Sequence, residues 1–556
     1  MNVVRQARSA QTALSAGARE EGTTTTAAGR AITPAVRAGS RGSSRAGVLI
    51  GAAREAWWSA RTGLVSGARP LARPVETSKL AEILPAMPPK HPDSTAVTRL
   101  LAEALAATRY GDIPPNVLVD TRRAILDWLG SALAGSLEPP ARLAQQIVAA
   151  FGASDEATVL NAPRSSAAGA ALANGVASHI LELDDIHKGS TVHGAAPIIP
   201  AAFAVAEREH ADGKAFLLAV TLGYEAALRI GEAVNPDHYR FWHPTGTAAT
   251  FGAAVAAGSL LGLDATQMLD ALGTAGTQAA GLWEFNADGA MSKHLHPGKA
   301  AFNGVLAADL AAAGFTGATR ILEGDRGFFR AMARSFDATR ITDGLGETWK
   351  VSENCYKMHS CCGHTHSAID VALELRPRAR GAEISTVEIE TYAPGYEIVK
   401  EMNPGTPYSG KFSLAYCVCT ALVDGRAGLE QFSEDRFGPN GVRHGTIADL
   451  MQRTRVKVAD DLTAKYPEAW PTRLAIELAD GTVLRGASDF PRGNPENPVT
   501  TEELEAKFAA LVAPRFGNEV AQRSVDLIRA VAACDDIATA FRDLVPNAAL
   551  QSGAPS

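Results

Sequence analysis

Eleven of the thirteen histidines in this 556-residue chain fall between positions 179 and 366, where even scatter would place about four. Imidazole gains and loses a proton near neutral pH, so the crowding points to proton-transfer chemistry. Four segments concentrate it. In Leu181–Pro197 (LELDDIHKGSTVHGAAP), Asp184, Asp185, His187, Lys188 and His193 could supply an acid–base group with its orienting partner. His243-Pro-Thr-Gly-Thr247 precedes an apolar helix. Thr245 or Thr247 can cap that helix, whose free N–H groups favour an anion beside His243. Met291–Lys299 (MSKHLHPGK) places Lys293, His294, His296 and Lys299 ahead of another helix, a set of cationic donors suited to a polycarboxylate. Cys355–His366 (CYKMHSCCGHTH) packs three cysteines and three histidines around Lys357.

Each segment also has a plainer explanation. A lone buried histidine is more often a satisfied core residue, and charges gather at solvated helix ends. Capping alone explains the threonines, and a surface basic patch explains 291–299. The Cys–His loop lacks a Cys-x-x-Cys pair and matches no zinc finger, ribbon or ferredoxin spacing, so no metal is expected and Lys357 is its preferred functional group. There is no Walker A loop, strand-linked G-x-G-x-x-G, H-E-x-x-H or G-x-S-x-G, which argues against nucleotide-driven chemistry and serine hydrolysis.

The elements that must position these groups are mostly helices. Residues 94–109 and 116–135 read as helices, the second with Leu118, Thr121, Ile125, Trp128 and Ala132 on one face between proline pairs. Further helices are predicted at 141–152, 165–182, 197–211, 213–234, 247–262, 265–280 and 299–313, several apolar nearly all round and therefore buried. The pattern then turns to alternation at Ser385–Tyr392, Arg453–Val458 and Arg473–Arg485, the last a hairpin around Asp480-Gly481. Helices resume at 501–512, 517–530 and 534–543. The expected architecture is mainly α: a large helical domain from residues 91–345 with the returning helices 491–546, plus a smaller α+β domain at 346–490 and a tail at 547–556.

Composition bounds the function. The chain is 46% hydrophobic and 20% charged with a net charge of −7, which suits a large folded core and gives no reason to expect nucleic acid or an anionic membrane as a partner. Six scattered cysteines imply a reducing compartment, taken here as the cytoplasm. Residues 1–75 hold eleven Arg, no Lys and three Glu. Residues 1–90 therefore read as a disordered extension or an upstream start ahead of a true beginning near Met87, with organelle import as the alternative.

The same four segments resemble the MmgE/PrpD family, which includes 2-methylcitrate dehydratase, cis-aconitate decarboxylase and iminodisuccinate epimerase. The resemblance runs from about residue 95 to 512. It rests on HILELDDIHKGSTVHGAAPIIPAA (179–202), HYRFWHPTGTAATFGAA (238–254), SKHLHPGKAAFNGV (292–305), YKMHSCCGHTHSAID (356–370), KFSLAYCVCTALVDG (411–425) and DFPRGNPENPVT (489–500). It implies a helical domain with an α+β lid, a homodimer, and a site between domains that works without metal or organic cofactor. Carried over residue by residue, the catalytic groups would be Asp184 or Asp185, His193, His243, Lys293 and Lys357. His296 and Tyr408 would also line the site. The first motif departs from the commoner family form, reading Glu182-Leu-Asp-Asp with one extra residue before His193. The expected activity is that of a lyase for a small di- or tricarboxylate, foremost a 2-methylcitrate-like dehydratase. Decarboxylation of cis-aconitate and epimerisation are the close alternatives. An organic-acid-binding protein without catalysis is the rival from another class, and a zinc-dependent enzyme is a third option.

Overall fold

Proline and glycine punctuate the helices much as their backbone chemistry requires. In the structure, a computed structural model that describes residues 96–542, Pro115 opens the helix Pro115–Gly135 and Pro139 opens Pro139–Ala149. The first turn of a helix is the place where a missing N–H goes unnoticed. Asp212 caps Gly213–Val234 by accepting from the Ala215 N–H, and Asp264 caps Ala265–Gly276 in the same way. The readings made for the arginine-rich leader and for the tail fall outside the described residues.

The fold is mainly α with small sheets. The Ala/Gly-rich helices are buried because small residues let their axes approach. Gly223 and Gly252 show this: a Cβ on Gly252 would lie 2.5 Å from the Gly223 carbonyl oxygen and 2.6 Å from Ala227 Cβ. One apolar core runs from Val97 through Trp128, Phe203, Phe251 and Val351, and it takes in Phe508, Leu511, Ile528 and Phe541 from the C-terminal helices. A second core joins Ile369, Leu375, Val387, Leu414, Cys417, Ile476 and Leu484. It fills the space beneath a four-stranded sheet in the order Thr454–Val458, Ile384–Thr391, Thr472–Leu478, Val483–Ser488. The first pair is parallel and the other two are antiparallel. Among the described residues no helix is long and apolar enough to cross a membrane.

Three local expectations need correction. The helix read as 165–182 ends at Ser178, and residues 179–185 form a loop in which Glu182 takes a left-handed backbone, φ 58°. The helix read as 299–313 is Ser292–Ala312, so Lys293 and His294 lie in its first turn and His296 in its second. Pro297-Gly298 reads as a break in sequence but is absorbed by packing. Gly298 meets Gly175 of helix Ala167–Ser178 so closely that a Cβ on Gly175 would lie 2.7 Å from Gly298 Cα. Finally, neither Thr245 nor Thr247 caps helix Ala248–Leu260 with its side chain.

Candidate active site

A two-residue ladder brings the first and fourth segments together. Ile186–His187 pairs antiparallel with Asn354–Cys355, in the register Ile186↔Cys355. The loop 179–185 is then held by its own carbonyls. Lys411 Nζ (2.9 Å) and Ser360 Oγ (2.8 Å) donate to the Leu181 oxygen, and Lys507 Nζ donates to the Leu183 oxygen at 2.7 Å. The left-handed turn at Glu182 aims its carboxylate at two lysines: Lys293 bonds Oε1, and Lys357 Nζ donates to Oε2 at 3.1 Å. A non-glycine residue keeps such a backbone only where its surroundings hold it there. The Lys293 ammonium also lies over the Phe412 ring, 4.9 Å from its centroid.

Histidines from three segments converge beside this pair. His179 Nδ1 lies 2.6 Å from Asp184 Oδ2, and His193 Nδ1 lies 2.7 Å from the Asp185 carbonyl and 3.3 Å from Asp184 Oδ2. Carboxylate and carbonyl oxygens only accept, so both Nδ1 atoms carry the hydrogen and both Nε2 atoms point elsewhere. The His193 backbone N–H donates to Thr245 Oγ1 at 3.0 Å, which ties the 193 and 243 segments together. His243 Nδ1 lies 3.0 Å from His296 Nδ1, and the His179 ring is stacked on that of His243 with centroids 5.5 Å apart. His179 Nε2, Asp184 Oδ1, His294 Nδ1 and the Tyr408 hydroxyl are buried atoms with no hydrogen-bond partner among the described residues.

Burial and pairing set the charges. Burial acts to raise the Glu182 and Asp184 carboxyls, but Lys293 and Lys357 around the first, and His179, His193 and Lys357 around the second, hold both well below the usual carboxylate range. Asp185 differs: burial lifts it to about 7, although Tyr224 OH, the Ala195 N–H and Asn354 Nδ2 all donate to it. Burial lowers His193 to about 4 and holds His243 well below the usual imidazole range, so both imidazoles are uncharged at neutral pH. It also brings the Lys411 ammonium down to about 8.

These shifts make stability pH-dependent. His193, His238 and His296 sit at about 4 and His294 at about 3, each lowered first by burial. An unfolded histidine takes its proton near about 6.5, so between these values the unfolded chain binds more protons. Their contribution is present above about pH 6.5 and is lost as the pH falls toward about 4. Thermal melts at constant ionic strength should show Tm falling over that window, the four imidazoles outweighing the Asp185 carboxyl, whose upward shift to about 7 acts in the opposite sense. A Tm that stays flat from pH 7 to pH 4.5 would contradict this burial of uncharged imidazoles.

The structure brings together Asp184, His193, His243, Lys293, Lys357 and His296, with Tyr408 at the edge, its ring centroid 6.5 Å from that of His294. It turns the Asp185 carboxylate away to Tyr224 and Asn354, so Asp185 anchors the loop through its side chain and orients His193 through its carbonyl. Thr247 Oγ1 is engaged by His238 Nε2 at 2.7 Å. His187 and Lys188 also turn aside, to Ser190 and Glu353 and to Glu496. Sequence reasoning gave no role to Glu182, His179 or Lys411. All three lie inside the motifs that carry the resemblance, and His179 stands five residues before Asp184.

Among the described residues, the side chains grouped closely enough to hold a metal lie outside the Cys–His loop. His179, His193 and His243 offer three ring nitrogens within 4.8 Å of one another, and His187, Glu232 and Glu353 form a second such group. In the second, Lys350 Nζ already bonds both glutamates, so an ammonium supplies the positive charge. The cysteines of 355–366 contribute to neither group: Cys361 and Cys362 belong to the second apolar core.

Comparison with known proteins covers the same stretch. A family model described as the MmgE/PrpD N-terminal domain matches residues 99–341, and one described as the MmgE/PrpD C-terminal domain matches residues 359–533. The chain is 28% identical over 454 residues to a cis-aconitate decarboxylase of Aspergillus terreus, covering 77% of this chain and 91% of that protein. It is 26% identical over 456 residues to the cis-aconitate decarboxylase-like protein oryM of Aspergillus oryzae, covering 77% and 92%. With the cis-aconitate decarboxylase of Homo sapiens it shares 26% identity over 450 residues, covering 78% and 91%.

Proposed function

The chain belongs to the MmgE/PrpD family, and from that premise we propose that it is a lyase for a small di- or tricarboxylic acid, working by proton transfer at a carbon next to a carboxylate and without an organic cofactor. The observation that carries this reading is the convergence of the buried Lys293 and Lys357 ammoniums on one carboxylate, that of Glu182, beside the uncharged imidazole of His193. A dilysine site that holds one carboxylate is chemically suited to hold another, that of the substrate. Charge developing on an enolate-like species is then met by ammoniums fixed in a water-poor site.

His193 is the proposed base. Its Nδ1 hydrogen is committed to the Asp185 carbonyl, which leaves the Nε2 lone pair free, and at about 4 its pKa keeps it unprotonated. The proton that His193 takes from carbon is the one returned to the departing hydroxide, which leaves as water, and His243 and His296, nitrogen to nitrogen, border the same space. A base poised for C–H abstraction favours dehydration of a 2-methylcitrate-like acid. The second reading, decarboxylation of a cis-aconitate-like acid, is favoured by the names its relatives carry. Epimerisation would use the same intermediate.

In this reading the α+β segment 346–490 acts as a lid over a helical domain made of 91–345 and 491–546, and the enzyme is a cytoplasmic homodimer. The lid supplies Lys357 and Lys411 and the helical part supplies Lys293 and the histidines, so closure would complete the site.

Incubating the protein with citrate, 2-methylcitrate, cis-aconitate and iminodisuccinate, read by mass spectrometry, tests the proposal. Loss of water, loss of carbon dioxide, or solvent hydrogen exchange without mass loss assigns dehydratase, decarboxylase or epimerase. No change in any acid would contradict all three. Metal analysis of the purified protein addresses the zinc alternative: stoichiometric zinc, with activity lost on chelation, would make His179, His193 and His243 ligands instead of acid–base groups.

A further inference from the structure

A cleft of about 730 Å³ opens beside the imidazole cluster. Pro236, Tyr239 and Trp283 form one wall, and Pro394, Ile398 and Tyr466 form the other. It adjoins the site directly. The Trp283 ring lies 5.1 Å from His243 and 5.0 Å from Tyr239, centroid to centroid, and the Tyr239 hydroxyl lies 3.5 Å from His364 Nε2. Trp283 Nε1 is buried and has no hydrogen-bond partner among the described residues. The cleft shares Asn286, Glu397 and Ile398 with a second hollow of about 440 Å³, whose wall includes Tyr408 and Phe412. Phe412 is the ring beneath the Lys293 ammonium, so the space follows the site from His243 to Lys293.

Its lining does not suit a polyanion. The carboxylates at its edge are already engaged, Asp237 by Arg334 and Glu397 by Lys400, and the Arg240 guanidinium lies 5.7 Å from the Phe241 ring centroid. What remains on the walls is largely aromatic and aliphatic. A compact di- or tricarboxylate gripped at Lys293 and Lys357 has no use for such a surface, whereas the volume falls within the range of about 300–1,000 Å³ that holds small-molecule ligands.

We propose that this cleft is a subsite for an apolar arm, so that the acid turned over carries an alkyl or alkenyl substituent of several carbons beyond its carboxylate-bearing head. The inference rests on the reading of Lys293 and Lys357 as the carboxylate grip. Trp283 and Ile398 are then specificity residues. The indole lies at the junction, and its N–H is free for an oxygen of the head.

Two measurements on the full chain test this. The first is kcat/KM for 2-methyl-, 2-butyl- and 2-octylcitrate. Each methylene taken from water into the cleft is worth about fourfold, so kcat/KM should climb with chain length until the cleft is filled. In Ile398→Asp the octyl-to-methyl ratio should fall at least tenfold. Turnover of the short acid with a flat or falling series would overturn the subsite and leave the lyase reading standing. The second is tryptophan-fluorescence titration with succinate and 2-octylsuccinate, which needs no turnover. Octylsuccinate should bind at least tenfold tighter, with the margin shrinking in Ile398→Asp, and equal affinities would overturn the proposal even if every citrate proved inert.

Discussion

Lys293→Ala should lower turnover of the acid by about a thousandfold. Lys293 is 2% exposed, bonds Glu182 and sits over Phe412, so its charge is fixed in a buried site. Removal of one preorganised donor to a developing oxyanion commonly costs about 10²–10³ in rate, and a full ammonium in a buried site stands at the upper end. A non-catalytic binding protein would have no turnover to lose. The same substitution breaks a buried ion pair, which costs about 3–5 kcal/mol because the partner charge is left behind. Glu182 would keep only Lys357. A fall in Tm is therefore expected as well, and it must be separated from the loss of chemistry. The double variant Lys293→Met with Glu182→Gln removes both charges at once and should recover much of the Tm without recovering turnover. Recovery of turnover along with stability would show that the ammonium serves folding alone.

Asp184→Asn is expected to have the second large effect, about 10³–10⁴ in kcat. The carboxylate of Asp184 contacts Nδ1 of both His179 and His193 and is held ionised by them and by Lys357. An amide of the same shape no longer demands a hydrogen on His179 Nδ1, and it removes the negative charge that would meet the imidazolium formed when His193 takes its proton. Where an orienting carboxylate is converted to an amide in a comparable arrangement, the loss is about 10⁴. KM should move little, because Asp184 does not hold the lysines that grip the substrate. Asp185→Asn is the informative contrast: that carboxyl is lifted by burial to about 7 and its oxygens face Tyr224, Ala195 and Asn354, so a neutral side chain is already close to its state. Its loss should stay within about tenfold, by the weaker cost of exchanging neutral hydrogen bonds. Equal losses in the two variants would contradict the separate roles drawn for them.

Much of this site is legible in one dimension because its groups cluster. The stretches around Asp184–His193, His243, Lys293–His296 and Lys357 stand out by residue type alone, and each supplies at least one member. What escapes is decided by backbone geometry and distant packing. Glu182 reads as one more acid at a helix end. Its function depends on a left-handed φ and on lysines 111 and 175 residues away, and neither is encoded nearby. The helix start at Ser292 escapes because Pro297-Gly298 signals a break, a signal overridden by the contact of Gly298 with Gly175. The threonines of the 243 segment are well placed to cap, yet tertiary partners take them: Thr245 serves His193 and Thr247 serves His238. Lys411 has nothing local to mark it, since its role is to donate to the Leu181 carbonyl 230 residues upstream. Periodicity, by contrast, locates the strands and the long helices well, because alternation and apolar faces are local properties.

The most direct measurement is the fate of solvent hydrogen. Incubated in deuterium oxide with its acid, the wild-type protein should place deuterium at a carbon adjacent to a carboxylate in recovered substrate or in product, as nuclear magnetic resonance would show, and the Lys293→Ala protein should not. Turnover in which that position keeps its original hydrogen, or equal labelling by the two proteins, would contradict proton transfer within an ammonium-held site.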